Sequence, residues 1–225
     1  MKQSKSKAFL TKPWLLPTIM TTIAGIVYCS WPLGIWLNSA VGLRGLASEL
    51  EALHQPYNWL FIGLDILTGI LVCIAVGLMW SWHNNRSYRW LFAVLVNFAL
   101  FGIFTAIDAI LPLRCTPSTD VCQGIAGNPL LIIHGFFSVS ASVCLFICVA
   151  IIWWLRRKLG GSIMMALLIA GWSLFGILSL IFALDPSGPG YWSQHYYITL
   201  CSIWTAILPY AAWRLLVVRK EVSTT

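Results

Sequence analysis

The stretch Asn97–Ser142 decides the fold of this chain. It reads NFALFGIFTAIDAILPLRCTPSTDVCQGIAGNPLLIIHGFFSVSAS. Two helix-length apolar runs flank a loop that contains Cys115 and Cys122. The first run carries Asp108 and the second carries His134, and ionisable residues are rare in membrane helices. The stretch therefore predicts two membrane-spanning helices, each with one ionisable side chain that faces the protein interior.

The composition of the whole chain agrees with a membrane location. Of its 225 residues, 59% are hydrophobic and only 9% are charged, and the mean hydropathy is +0.83. A soluble domain carries about a quarter charged residues, so lipid must cover much of this surface. The net charge of +7 comes from short basic clusters between apolar runs. Such clusters are typical of topology signals, and no nucleic-acid partner is expected.

We predict a single domain over residues 1–225, an all-α bundle of six transmembrane helices. Each predicted helix has the roughly 20 apolar residues that a spanning helix needs. The six helices cover residues 14–37, 59–82, 90–111, 129–155, 162–184 and 196–218.

The basic residues also predict the orientation of the bundle. With a cytoplasmic N-terminus, the inner segments contain all of the 14 Lys and Arg residues except Arg44 and Arg114. Cytoplasmic loops carry an excess of Lys and Arg, so both termini are predicted to be cytoplasmic. The first outer loop contains GLASELEAL, residues 45–53. Its apolar spacing predicts a short amphipathic helix that lies on the outer surface.

The segments DAILPLRCTPSTDVC (residues 108–122) and HGFFSVS (residues 134–140) resemble a known family. This is the prokaryotic six-helix integral membrane family catalogued as domain of unknown function 998, distantly grouped with DRAM-type and Frag-type proteins. ELEALHQPYNWLF (residues 49–61), followed by Asp65, is similar to the family's entry into its second helix. The resemblance implies a fold and a membrane location, and it brings no established activity.

Two cysteines lie in the predicted second outer loop. Cys115 and Cys122 are separated by six residues that include turn formers. The predicted topology places them in an oxidising compartment, so we predict a structural disulfide between them. The Cys-x-x-Cys spacing of redox enzymes is absent.

Polar residues of several predicted helices lie at a similar depth. At 1.5 Å per residue, Asp65, Asp108 and His134 lie roughly 10, 6 and 9 Å below the outer ends of their helices. Asp185 and His195 bracket the last outer loop near the same level. We therefore predict a site in the outer leaflet to which several helices contribute.

Helical spacing adds three further residues to this site. Asn97 and Thr105 precede Asp108 by eleven and three positions, which places all three on one helical stripe. His134 and Ser138 lie one turn apart on the next helix. Two such stripes that face each other would line a narrow polar cavity open to the outside.

Three interpretations of this site remain open. In the first, Asp108 and His134 form a buried pair that fixes two helices. In the second, the cavity binds a lipid headgroup or a small polar solute. In the third, the chain is a zinc-dependent intramembrane lipid hydrolase, with Asp65, Asp108, His134 and His195 as metal ligands. Asp108, His134 and Ser138 are then the catalytic candidates, although the His-x-x-x-His pair typical of such enzymes is absent.

We favour the second interpretation, a non-enzymatic protein with an outward-facing polar pocket. Its expected location is the plasma (inner) membrane of a prokaryote. Its expected partners are the lipid bilayer, a lipid or small-solute ligand, and a further membrane protein or a second copy of the chain. Zinc is expected only if the hydrolase interpretation holds.

Overall fold

The computed structural model describes residues 12–42, 44–84, 88–116, 129–157, 163–184 and 191–224. Within these residues the chain is helical, without strands. Five helical segments are long and apolar enough to cross a membrane, and a sixth apolar segment, Met165–Ile181, is shorter. The predicted class, an all-α polytopic membrane bundle, is therefore confirmed.

The elements follow one another as eight α-helices and one 3₁₀-helix among the described residues. They are α1 (Leu15–Tyr28), α2 (Trp31–Leu37), α3 (Ser39–Gly42), the 3₁₀-helix (Ala47–Glu51), α4 (Asn58–Asn84), α5 (Arg89–Ile110), α6 (Pro129–Arg157), α7 (Ile163–Leu184) and α8 (Tyr191–Thr224).

The first apolar segment is divided into two helices. α1 ends at Tyr28, and α2 begins at Trp31 after the break at Cys29 and Ser30. Pro32 lies in the first turn of α2. Proline has no N–H to donate to the carbonyl four residues earlier, and its ring would clash with that turn of a continuous helix. The chain therefore starts a new helix instead of only kinking the first.

The long helices form a ring of neighbours in the order α6, α5, α4, α1 and α8, and α8 contacts α6 to close it. α7 packs mainly on α8, outside the ring. Hydrogen bonds link the ring where small residues allow close approach. Thr21 of α1 donates to the Ala206 carbonyl oxygen of α8 at 3.2 Å, and Thr68 of α4 donates to the Ala24 carbonyl oxygen of α1 at 3.3 Å.

Residues 44–57, which we call the cap, cover one end of the bundle. The backbone N–H of Ala47 donates to the Gln194 side chain of α8 at 2.6 Å. The N–H of Leu53 donates to the Leu113 carbonyl oxygen, just after α5, at 2.9 Å. Leu50 is buried against Gly34 of α2. The cap is therefore joined to three parts of the bundle.

The predicted surface helix is a 3₁₀-helix whose acidic residues point inward. Glu49, Leu50 and Glu51 are all buried. An amphipathic helix on the outer surface would have left both glutamates in water. The apolar spacing indicated helical structure here, but it did not indicate which face is covered by protein.

α4 and α5 approach closely at a pair of glycines. A Cβ atom added at Gly102 would lie 2.9 Å from the Gly69 carbonyl oxygen, and one added at Gly69 would overlap the Gly102 carbonyl oxygen. By contrast, a Cβ atom at Gly63 or Gly77 of the same helix would meet open space. Small residues at helix interfaces let backbones approach, and here Gly69 has this function.

We predict that Gly69→Ala lowers the stability of the bundle. The new methyl group must push α4 and α5 apart, and overpacking of this kind costs about 1–3 kcal/mol. The readout is the midpoint of thermal unfolding in detergent. Gly77→Ala is the matched control, because its methyl group meets open space and its helix propensity improves by up to about 1 kcal/mol. Equal losses in both variants would contradict the proposed contact.

Candidate functional site

The cap contributes a carboxyl group to the interior of the bundle end. Glu51 is 7% exposed, and its side chain shares a hydrogen bond with the side chain of Asp65 in α4. Burial raises the pKa of Glu51 from 4.5 to about 7, and the hydrogen bond to Asp65 acts in the opposite direction. Two carboxylates cannot donate to each other, so this bond requires that one of the two groups is protonated.

Asp108 of α5 is the third carboxyl group of this cluster. It interacts electrostatically with both Glu51 and Asp65. Its side chain also forms a hydrogen bond with Ser138 of α6. Three acidic side chains from three separate segments therefore converge at the end of the bundle that the cap covers. We call Glu51, Asp65 and Asp108 the carboxyl cluster.

His134 of α6 lies beside the carboxyl cluster. Its Nδ1 atom is 3.1 Å from the Leu111 carbonyl oxygen and also 3.1 Å from Asp108 Oδ1. One N–H group points to one acceptor, and the angles favour the carbonyl oxygen. The contact required by the first interpretation is therefore present, but Asp108 Oδ1 receives no well-directed hydrogen bond from it.

The end of α5 creates this arrangement. Pro112 disfavours helical conformation for the residue before it, and α5 ends at Ile110. The Leu111 carbonyl oxygen is then free of the helix and accepts from His134. The helix end thus places an acceptor next to Asp108, in the last turn of α5.

Two buried oxygen atoms on α5 lack a hydrogen-bond partner among the described residues. They are Thr105 Oγ1 and Asp108 Oδ1. Thr105 is 3% exposed, and residues three positions apart on a helix are neighbours. Leaving a buried polar atom unsatisfied costs about 1–3 kcal/mol. The two atoms mark a place where hydrogen-bond donors would be stabilising.

Two further residues of the site were missed by sequence reasoning. The sequence predicts a surface helix around Glu51, whereas the observed 3₁₀-helix buries this side chain. Tyr28, at the end of α1, interacts electrostatically with both Asp65 and Asp108. Its ring packs edge-on against Phe101, with the ring centroids 5.8 Å apart. Tyr28 lies at the break between α1 and α2, which the sequence does not reveal directly.

The structure shows other contacts for two further predicted residues, Asn97 and His195. Asn97 donates to the Ala93 carbonyl oxygen of its own helix at 2.9 Å. It is eleven residues from Asp108, roughly 16 Å along the axis, and so is too deep to join the cluster. His195 of α8 is buried and packs edge-on against Trp31, with the ring centroids 4.7 Å apart.

Three predictions on this site remain open. Asp185 and Cys122 lie outside the described residues. Cys115 is 7% exposed, and the Cys115–Cys122 disulfide stays a prediction that thiol labelling before and after reduction would test. Within the described part of the chain, no three His, Cys, Asp or Glu side chains are grouped as metal ligands.

An apolar groove lies along α6, with Phe104 of α5 in its lining. It has a volume of about 570 Å³. Gly135 lines it, and the groove continues along α6 to Val143 and Cys144. Since Gly135 follows His134 in sequence, the groove begins at the depth of the carboxyl cluster. Ile132 and Phe136, also in its lining, are 66% and 63% exposed, as is typical of a lipid-facing surface.

Together these features define a polytopic helical membrane protein with a carboxyl-rich site under a cap at one end of the bundle. The chain belongs to the family of proteins of unknown function designated DUF998, whose model matches residues 22–219. No curated protein and no solved structure matches the chain significantly.

We predict that Asp108 and His134 are energetically coupled. Asp108→Asn, His134→Ala and the double variant should show a coupling free energy of about 0.5–3 kcal/mol in thermal unfolding, because neighbours in one polar network are non-additive. Asn97→Ala combined with His134→Ala is the control pair. Asn97 bonds within its own helix, and its effect should add to that of His134→Ala. Additive losses for both pairs would place Asp108 and His134 in separate networks.

Proposed function

We propose that this protein binds a lipid headgroup or a small polar solute at the carboxyl cluster, and that it does so without catalysing a reaction. The observation that carries the proposal is the electrostatic interaction of Glu51, Asp65 and Asp108 at one end of the bundle. On α5, the buried atoms Thr105 Oγ1 and Asp108 Oδ1 also lack hydrogen-bond partners among the described residues. Buried carboxyl groups are expensive in an apolar bundle, and apolar residues would join the helices at lower cost. Binding of a ligand would explain why buried carboxyl groups occupy these positions.

The chemistry of the cluster indicates what kind of ligand it would take. Carboxyl oxygens accept hydrogen bonds and attract positive charge. Thr105 Oγ1 can accept a further hydrogen bond. Arg44 and Arg114, the basic residues at this end of the described chain, are exposed. The ligand is therefore a donor of several hydrogen bonds, with a primary amine as the best match.

The apolar groove supports a lipid as the source of this amine. A phospholipid with an ethanolamine headgroup combines an ammonium group with acyl chains. The groove on α5 and α6 begins near the depth of the cluster, and Ile132, Phe136, Val139 and Val143 in its lining are exposed. A free amine would use the cluster alone. Both ligands share the ammonium chemistry, and the experiment below separates them.

The proposal includes the setting of the protein. We place the chain in the plasma (inner) membrane of a prokaryote, with both termini in the cytoplasm and the cap outside. The basic residues of the inner segments support this orientation. A second copy of the chain or another membrane protein remains an alternative occupant of the outer surface.

The zinc hydrolase interpretation has no comparable support. His134 Nδ1 already bonds with the Leu111 carbonyl oxygen, and His195 packs against Trp31. Metal content of protein purified without chelators would test it, since the hydrolase requires zinc that is lost in His134→Ala.

We predict that an amine lipid stabilises the purified protein. Addition of short-chain phosphatidylethanolamine should raise the unfolding midpoint in detergent, since a ligand at ~100 times its Kd adds about 2.7 kcal/mol. Phosphatidylglycerol should not, because its headgroup is anionic. Asp108→Asn should remove most of the effect.

The controls separate the outcomes of this experiment. Glu221→Gln removes one acidic group near the far end of α8, and its response should equal that of the parent. Stabilisation by free ethanolamine to the same extent would identify a small solute instead of a lipid. Equal responses to both phospholipids, or an unchanged response in Asp108→Asn, would overturn the proposal.

A further inference from the structure

We propose that the cap is a pH-sensitive lid, which stays closed over the bundle end while Glu51 and Asp65 share a proton and opens when the pair loses it. The inference concerns access to the site of the proposed function. The lid itself depends on the contacts of the cap, so it would operate with any ligand.

One of the described links between the cap and the helices contains ionisable groups. Ala47 and Leu53 are held by hydrogen bonds from their backbone N–H groups, which do not titrate. Leu50 is held by apolar packing with Val41 and Phe61. The Glu51–Asp65 hydrogen bond is the link whose existence depends on a proton.

The described surroundings of Glu51 include two further acidic side chains. Asp65 of α4 and Asp108 of α5 are acidic, and both interact with the Glu51 pair. α2 and α3 carry no ionisable side chain. Within the cap, Glu49 is buried and accepts from the Leu46 N–H at 3.3 Å. Other ionisable groups of the described residues at this end include Tyr28, near Asp65 and Asp108, and His195, buried beside Trp31. Arg44, His54, Tyr57 and Arg114 are all exposed.

The direction of the pH dependence follows from these surroundings. The closed cap raises the pKa of Glu51 from 4.5 to about 7, whereas an open cap would leave the glutamate in water near its ordinary value. Closing of the cap is therefore accompanied by uptake of a proton at pH values between 4.5 and about 7. By linkage, the closed state is fully favoured below pH 4.5, loses up to about tenfold in its equilibrium constant per pH unit above that value, and loses no more above about pH 7.

Hydrogen exchange of the cap amides tests the lid directly. The full chain in detergent, without added ligand, is exchanged at about pH 5 and about pH 7, with times scaled for the intrinsic pH dependence of amide exchange. Exchange of the peptide that contains Ala47 and Leu53 should become at least about fivefold faster at the higher pH, within the linkage limit. Exchange within the buried part of α5 should not change.

Two variants separate the lid from a general effect of pH. Glu51→Gln keeps hydrogen-bonding capacity without a titrating group, so its cap should exchange slowly at both pH values. Glu221→Gln should keep the pH response of the parent. Equal scaled exchange in the parent at both pH values would overturn the proposal, and so would a parent-like response in Glu51→Gln.

The parent comparison does not depend on any variant folding correctly. It also does not depend on the ligand, because the protein is ligand-free. If cap exchange does not respond to pH but amine lipid still stabilises the protein, only the lid proposal is overturned. If cap exchange responds to pH but amine lipid does not stabilise the protein, only the proposed ligand is overturned.

Discussion

The arrangement of this end of the bundle depends on one hydrogen bond between two carboxyl groups. It joins Glu51 of the cap to Asp65 of α4. Such a bond exists only with a proton between the two groups, since two carboxylates repel each other and neither can donate. Burial makes the charged form more costly still. The 3₁₀ turn that directs Glu51 inward and the packing of Leu50 against Gly34 hold the cap where this proton is shared.

The neighbouring helices extend the same polar network. α5 ends before Pro112, which frees the Leu111 carbonyl oxygen for His134. His134 thereby approaches Asp108 without satisfying Asp108 Oδ1. A network that is incomplete in this way is costly as a purely structural element. The same features suit a site that a hydrogen-bond donor completes, and this links the proposed amine ligand to the proposed lid.

The sequence was sufficient for the fold class because apolar composition and helix length leave few alternatives in a bilayer. Depth counting along three helices also selected Asp65, Asp108 and His134, which the structure places in one region. Asn97 was added by helical spacing, and a helical stripe gives direction but not depth. The buried position of Glu51 could not be predicted, because a short 3₁₀ turn has too few residues for periodicity to show its buried face. The break after Tyr28 depends on the position of Pro32. The sequence alone is equally compatible with a continuous helix that is only kinked at this proline.

The central claim is that Glu51 and Asp65 share a proton below about pH 7, and infrared spectroscopy of the purified protein tests it most directly. A protonated carboxyl group has a carbonyl stretching band that is separate from the bands of ionised carboxylates and shifts in D₂O. The account predicts this band near pH 6.5, below the pKa of about 7 that burial gives Glu51, with loss of its intensity in Glu51→Gln and no change in Glu221→Gln. A parent spectrum with ionised carboxylates only, or a band that is unaffected by Glu51→Gln, would contradict it.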